Sequence, residues 1–227
     1  MSKGEVIAEG VYLIGGPGIS RSEDATVFVV AFADELVMID AGAGNSTKTL
    51  VGNMEKAGLD PAKLSHLILT HCHIDHIGSA PALRDRFGCR LVIHEEDARA
   101  VEEGDPVRTA ANWYGTTFPP TAVDLKLKGE KTTFTFGGEE LHCLHTPGHT
   151  PGSIAVYLDR GGQRILFGQD IHGPFLSSFG SDLRKWRRSM ETLIGLRADI
   201  LCEGHFGIFS PADRVEAYIR RHLRQNS

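Results

Sequence analysis

Hydrophobic and polar positions alternate in short runs over the first forty residues of the chain. Apolar runs at residues 11–14, 26–32 and 35–39 are separated by Gly, Pro and Asp, which is typical of strands joined by tight turns. Residues 46–57 then show helical spacing, and residues 66–70 form a short, nearly continuous apolar run of the kind buried on both faces of a sheet. The pattern predicts a β-meander that leads into alternating helices and strands.

The remainder of the chain repeats both kinds of element. Helical spacing recurs in several segments, two of which we expect to be capped by Ser181 and Ser210, and Gly-Gly pairs join short alternating runs into hairpins. Each half of the chain can therefore supply one sheet covered by helices, so the predicted fold class is α/β, a four-layer αββα sandwich of two mixed sheets. The further predicted elements are helices at 77–87, 95–103, 181–196 and from Ser210 onward, and strands at 90–94, 131–136, 139–145, 154–158, 164–167 and 198–202.

Composition narrows the class of protein. The chain has 227 residues, 41% of them hydrophobic, and a net charge of -5, which is ordinary for a globular protein and gives no basic surface for nucleic acid. No linker-like segment divides it, so we expect residues 1–227 to form one domain. The four scattered cysteines predict reduced thiols.

The apolar runs also bear on location and partners. No run approaches the length of a membrane span, and residues 1–10 lack the apolar core of a secretion signal. These observations predict a cytoplasmic protein that acts on a small molecule and uses neither membrane nor nucleic acid. The sequence leaves a homodimer open.

Histidine is the unusual feature, with 11 in the chain and three of them between His71 and His76. The segment reads His71-Cys72-His73-Ile74-Asp75-His76 and follows the predicted strand 66–70 directly. Imidazoles and carboxylates bind zinc, iron and manganese, so three histidines and an aspartate at one strand end predict a metal site. Cys72 lies between two ligands on an extended segment, and its side chain is expected to point away from them.

Further metal-binding side chains stand at the ends of other predicted strands. His149 follows strand 139–145, Asp170 follows strand 164–167, and His205 follows strand 198–202. Each lies close to a glycine, which lets the backbone approach a crowded site. Together with the first segment they make seven candidate ligands, a number that predicts a site for two metal ions.

The motifs THCHIDH, HTPGHT and EGHFG, with Asp170 at a strand end, resemble those of the metallo-β-lactamase superfamily over nearly the whole chain. The resemblance implies an αββα fold and a binuclear site related to that of glyoxalase II and the lactonases. It assigns His71, His73 and His149 to one ion and Asp75, His76 and His205 to the other. Asp170 would bridge both ions.

The resemblance also implies hydrolysis. Two divalent ions, with zinc expected and iron or manganese as alternatives, would share a hydroxide that attacks a small ester, thioester or lactone, and Asp75 would be the catalytic residue that holds it and carries its proton. A persulfide dioxygenase with one iron on His71, His149 and Asp170 is an alternative, as is a β-lactam hydrolase. The substrate, the role of His172 and that of the aromatic residues in loop 113–118 stay open.

Overall fold

The structure of the protein is a computed structural model that describes residues 4–226. These residues form thirteen β-strands and six α-helices, with three short 3-10 turns between them. The strands are β1 (Glu5–Ala8), β2 (Val11–Gly15), β3 (Val27–Ala31), β4 (Leu36–Ile39), β5 (Leu64–Ile68), β6 (Arg90–His94), β7 (Leu125–Leu127), β8 (Lys131–Phe136), β9 (Glu139–His145), β10 (Ile154–Arg160), β11 (Gln163–Gln169), β12 (Ile200–Glu203) and β13 (Gly207–Phe209). The helices are α1 (Thr47–Lys56), α2 (Ile74–Ile77), α3 (Ala80–Phe87), α4 (Glu95–Glu103), α5 (Leu183–Gly195) and α6 (Ala212–Gln225).

Two mixed sheets form the centre of the molecule. Over the described residues, the first sheet has seven strands in the order β1-β2-β3-β4-β5-β6-β7, and the second has six in the order β13-β12-β11-β10-β9-β8. Strands β4 to β7 run parallel to one another, as do β11 and β12, while the other neighbours are antiparallel. Helices cover the outer face of each sheet. The predicted αββα sandwich is confirmed.

The hydrophobic core has three layers, which explains why the strands are so rich in apolar residues. Between the sheets, Phe28 and Phe167 meet edge to face with their ring centres 5.2 Å apart. Leu50 of α1 belongs to the core under the first sheet, and Trp186 of α5 to the core under the second. Full burial of such a side chain stabilises the fold by about 1.5–3 kcal/mol.

Some predicted boundaries and caps are wrong. Strand β5 ends at Ile68 rather than at residue 70, because the amide of Thr70 donates to the carboxylate of Asp40 instead of to a neighbouring strand. Asp182 caps α5 in place of Ser181, since its carboxylate accepts from two amides of the first turn. Ser210 does not cap α6, whose N-cap position is taken by Pro211.

Three strands were not predicted: β1, β7 and β13. Each has only three or four residues, too few for an alternating pattern to stand out from the surrounding loops. All three lie at the edges of their sheets, where one side of the strand lacks a neighbour.

Hydrogen bonds join the two sheets at one edge of the sandwich. The amide of Thr26 donates to the carbonyl of Gly204 at 2.8 Å, and its hydroxyl donates to the carbonyl of Glu203 at 2.8 Å. The amide of Ile154 donates to the carbonyl of Thr70, also at 2.8 Å. The segments that carry the seven candidate ligands leave their strands at this edge, so these bonds hold the two halves of the site together.

The described part of the chain also bears on the cysteines and on membranes. All four cysteines are buried free thiols, in agreement with the sequence prediction. Between residues 4 and 226, no helix has the length and apolar character needed to cross a bilayer. Residues 1–3, which belong to the segment used to predict the absence of a secretion signal, and residue 227 lie outside the described residues, and the cytoplasmic location stays a prediction.

Candidate metal centre

The turn after β5 presents four of the seven candidate ligands. His71 follows the strand, and His73 is extended (φ -72°, ψ 145°) at the N-cap of α2, which carries Asp75 and His76. The carbonyl of Thr109 accepts from the amide of Ile74 at 2.7 Å and fixes the point at which the chain turns into the helix. The side chains of His71 and His73, which alternate along an extended segment, and those of Asp75 and His76 in the short helix therefore point toward the same cavity.

Cys72 points away from that cavity, as its place between two ligands predicts. Its amide donates to Asp97 at 3.1 Å, and its thiol donates to the carbonyl of Arg108 at 3.2 Å. Burial and the nearby Asp97 carboxylate raise the pKa of the thiol well above its ordinary value. The side chain thus packs on the far side of the turn.

His149, Asp170 and His205 arrive at the same cavity from three other loops. Asp170 follows β11 directly, and His205 follows β12 after the single residue Gly204. A Cβ atom at Gly204 would lie 2.5 Å from Oδ1 of Asp170, so only glycine allows this close passage. All seven candidate ligands predicted from the sequence are therefore brought together.

Within the site, His71, His73, His149 and Asp170 form one group. Their potential ligand atoms lie within 4.8 Å of one another. Nε2 of His149 is 2.9 Å from Nδ1 of His73 and 3.4 Å from Oδ2 of Asp170, and Nε2 of His71 is 3.9 Å from the same carboxylate oxygen. These atoms face one small volume.

Asp75, His76 and His205 form a second group whose ligand atoms also lie within 4.8 Å of one another. Nε2 of His205 is 3.3 Å from Oδ2 of Asp75, and Nε2 of His76 is 3.7 Å from that oxygen. Oδ1 of Asp170 lies 3.2 Å from His76 and 3.3 Å from His205. One carboxylate thus offers Oδ2 to the first group and Oδ1 to the second.

Several polar atoms at this point are buried without a hydrogen-bond partner among the described residues. They are Nε2 of His71, His73 and His76 and Oδ1 of Asp170. Burial of an unpaired polar atom costs about 1–3 kcal/mol, and here such atoms cluster beside His149 and His205. Nε2 of His71, Nε2 of His76 and Oδ1 of Asp170 are the atoms that a divalent cation would bind. His73 differs, because its Nδ1 faces the other ligands. The residues present therefore fit a metal centre.

Burial keeps the three imidazoles of the first group neutral. It lowers the pKa of His71 and His73 well below the ordinary value, with a further contribution from the neighbouring imidazoles, and it also lowers the pKa of His149. A neutral imidazole is the form that binds a metal, because its ring nitrogen then carries a free electron pair.

The second group balances its carboxylates with imidazolium charge. Burial opposes the charged form of His76, but Asp170 and Asp40 raise its pKa well above the ordinary value. Burial likewise opposes charge on His205, whose pKa the carboxylates of Asp170 and Asp75 raise to about 10. A bound cation would take over this balancing role and displace the imidazole protons.

Asp40 is the main supporting residue that the sequence analysis missed. It directly follows β4, has φ 61° and is completely buried. Its Oδ2 accepts from Nδ1 of His76 at 2.6 Å and from the hydroxyl of Thr70 at 2.8 Å, and also from the side-chain amide of Gln169. A carboxylate on the outer nitrogen of a ligand histidine fixes its tautomer and orientation.

Two further supports hold the other loops. Asp97 accepts from the hydroxyl of Thr150 at 2.6 Å and from the amide of Gly152 at 2.8 Å, which fixes the loop that carries His149. The carbonyl of Pro174 accepts from Nδ1 of His149 at 3.0 Å, leaving Nε2 toward the site. The bonds to Asp97 fix the backbone of the loop, and the bond to Pro174 fixes the tautomer of His149.

Aromatic side chains surround the opening. Phe179 packs against His73 with ring centres 4.3 Å apart, and Trp113, which is 58% exposed, packs against Phe179 at 5.0 Å. Burial and the Asp75 carboxylate raise the pKa of Tyr114. Phe206, which packs against His172, is 60% exposed. The aromatic residues of loop 113–118 thus include two at the rim of the site.

Comparison with known proteins gives the same picture. Residues 23–205 match the metallo-beta-lactamase superfamily. A metallo-beta-lactamase fold-containing protein of Sulfurisphaera tokodaii is 26% identical, with 95% of this chain and 84% of that protein covered, and a probable metallo-hydrolase of Methanocaldococcus jannaschii is 28% identical, with 72% of each covered.

Solved structures show the same fold at low sequence identity. The FEZ-1 metallo-beta-lactamase of Legionella gormanii superimposes with a TM-score of 0.82 at 17% identity, covering 99% of this chain and 94% of that one. A motif mutant of a metallo-beta-lactamase from Cronobacter sakazakii gives 0.85 at 20% identity, covering 99% and 95%. The segment matched to the family contains all seven candidate ligands, and the chain belongs to the metallo-beta-lactamase superfamily.

Proposed function

We propose that this protein is a binuclear metal-dependent hydrolase that cleaves a small ester, thioester or lactone. The observation that carries the proposal is the position of Asp170, whose Oδ2 faces His71 and His149 while its Oδ1 faces His76 and His205. A carboxylate shared in this way suits a pair of cations better than a single one. The relative from Methanocaldococcus jannaschii, named a probable metallo-hydrolase, supports the reaction class.

The bound ions would lower the pKa of a water molecule and polarise the carbonyl group of the substrate. The protein then has to hold that water and move its proton. Asp75 is placed for this role, since its side chain is 8% exposed and its Oδ2 lies 3.3 Å from Nε2 of His205. We assign to Asp75 the transfer of a proton from the attacking water to the leaving group, so that bond cleavage releases a neutral alcohol or thiol.

Zinc is the proposed metal. The ligand set consists of imidazoles and carboxylates, which accept zinc, iron and manganese alike. Cys72, whose thiolate would have favoured softer metals, points away from the site.

The aromatic side chains beside the site favour a substrate with an apolar part. Trp113 packs on Phe179 next to His73, and Phe206 packs on His172 next to His205. Trp113 and Phe206 are both more than half exposed. Aromatic surface near a polar centre binds the apolar portion of a ligand while the reactive group lies at the centre. Hydrolysis of β-lactams is a narrower alternative, and the similarity to solved lactamases concerns the fold.

The experiment combines metal analysis with a substrate panel. Elemental analysis of the purified protein should find two divalent ions per chain, and hydrolysis should be measured with thioesters, lactones, esters and β-lactams. Oxygen uptake with glutathione persulfide serves as the control reaction. One iron per chain together with oxygen consumption would replace the hydrolase by the dioxygenase alternative.

A variant tests the shared carboxylate. Asp170→Ala should lose both bound metal and hydrolytic activity, because each ion loses a ligand, while the far-ultraviolet circular dichroism stays that of a folded protein. His142→Ala, in β9 and outside both ligand groups, is the control and should keep both ions. Full activity in Asp170→Ala would remove the proposed role of this residue.

A further inference from the structure

His172 stands in the loop after Asp170 and has no role in the seven-ligand site. Its side chain is 19% exposed, and its ring lies edge-on to that of His205 with centres 5.2 Å apart. A ring nitrogen of His172 lies within 4.8 Å of the potential ligand atoms of both Asp170 and His205. This third group shares two members with the site described above.

A buried carboxylate fixes the orientation of His172. Nδ1 of the ring donates to Oε1 of Glu203 at 2.9 Å, and the Glu203 side chain is completely buried. Oε2 of Glu203 accepts from the amides of His205 at 2.7 Å and of Phe206 at 2.8 Å. A single carboxylate thus holds both the His172 ring and the backbone of the ligand His205.

This arrangement determines which nitrogen of His172 is available. Because Nδ1 carries the proton donated to Glu203, the neutral ring has a free electron pair on Nε2. Metal-binding histidines have the same second bond, in which the outer nitrogen donates to a carboxylate. Nδ1 of His76 makes the corresponding bond to Asp40 at 2.6 Å.

We propose that Nε2 of His172 is an eighth ligand, which binds the ion of the second group together with Asp170 and His205. The proposal rests on the binuclear site of the proposed function and adds a residue to it. The added imidazole would give that ion a further ligand from the loop after β11, which also carries Asp170, beside the ligands from α2 and from the loop after β12. Phe206, whose ring meets the His172 ring edge-on at 4.7 Å, limits the directions in which that ring can turn.

The test uses the whole protein loaded with cobalt(II) in place of its native metal. In the proton nuclear magnetic resonance spectrum, each cobalt-bound histidine contributes a strongly shifted resonance from its remaining ring N–H. The His172 N–H should be visible because Glu203 protects it from exchange with solvent. His172→Phe keeps a ring of similar size without a ligand atom. We expect this variant to lose one shifted resonance and to bind the second cobalt ion about tenfold or more weakly.

Controls separate a ligand from a packing residue. His172→Ala should lose the same resonance as His172→Phe, and His142→Phe, which alters a histidine on β9 away from the centre, should lose none. If His172→Phe keeps every shifted resonance and the affinity for the second cobalt ion, or if the wild-type protein takes up a single cobalt ion, the proposal is wrong. Hydrolysis is assayed separately, so a protein that binds two cobalt ions through His172 but cleaves no substrate would refute the proposed function alone.

Discussion

Replacing Asp40 by asparagine should selectively lower the affinity of the protein for the ion bound by the second group, which contains His76. Asparagine has nearly the same shape and tolerates the positive φ of 61° found at this position. The change removes the carboxylate that accepts from Nδ1 of His76 at 2.6 Å, so the imidazole loses the bond that fixes its tautomer. The ligand atom of His76 itself is left in place.

The expected size follows from the role of such supporting bonds. Loss of a carboxylate on the outer nitrogen of a ligand histidine typically lowers metal affinity by about 10–100-fold, or about 1.4–2.8 kcal/mol. The affinity for the ion bound by His71 should fall less, because Asp40 does not contact His71 directly. The two residues are connected only through the hydroxyl of Thr70, which bonds Asp40 and lies 3.2 Å from Nδ1 of His71. The free energy of unfolding of the metal-free protein should fall by about 1–3 kcal/mol, since the new amide group faces hydrogen-bond donors.

Stepwise removal of metal by a competing chelator measures both affinities. We expect Asp40→Asn to release one ion at a lower chelator concentration than the wild type and the other ion at nearly the same concentration. Asp124→Asn, which changes a carboxylate that is 31% exposed and paired with Arg84, is the matched control and should behave as the wild type. Equal weakening of both ions, or none, would refute the reasoning.

Three other substitutions test separate parts of the structure. Gly204→Ala should lower the affinity for both ions, measured by the same chelator titration, because the new methyl group would lie 2.5 Å from Oδ1 of Asp170. Gly52→Ala should raise the free energy of unfolding in urea by about 0.5–1 kcal/mol, because Gly52 lies inside α1 with open space around it; no change would count against this helix. The hydrogen bond from Arg84 lowers the pKa of Asp124 below its ordinary value of 3.8, so the pair stabilises the protein above about pH 4 and this contribution is lost as the pH falls through the lowered pKa. Asp124→Asn should therefore cost about 0.2–1 kcal/mol at neutral pH and less in acid, a small effect because solvent screens the pair; an equal cost at both pH values would contradict this.

The candidate ligands could be predicted because they occur as concentrated motifs at the ends of recognisable strands. His71 to His76 stand out in any short window. Asp170 and His205 follow β11 and β12, neighbouring parallel strands whose carboxyl ends meet at one edge of the second sheet. The two sheets themselves followed from short apolar runs separated by turn residues. Local patterns were therefore sufficient for the fold class and for the content of the site.

The supporting carboxylates could not be predicted in the same way. Asp40 acts on His76, 36 residues away, and Glu203 acts on His172, 31 residues away, so their roles depend on contacts made only after folding. One signal did exist, because Asp40 follows a predicted strand, as the candidate ligand Asp170 does. Spacing along the chain did not give the division into two ligand groups, which only the family resemblance implied. The structure was needed to show which oxygen of Asp170 faces which histidine.

The hydrogen bonds that join the two sheets, from Thr26 to Gly204 and Glu203 and from Ile154 to Thr70, lie at the edge that holds the candidate ligands. They join the sheets through backbone groups there, whereas at the opposite edge the long side chain of Arg160 donates to the carbonyls of Glu9 and Ala31, so we expect slow opening fluctuations to begin at that opposite edge. A cation entering the site then meets side chains that are already in position and pays little entropy for ordering them. Sequence changes in distant turns can accordingly loosen the fold as a whole while the geometry around the ions persists.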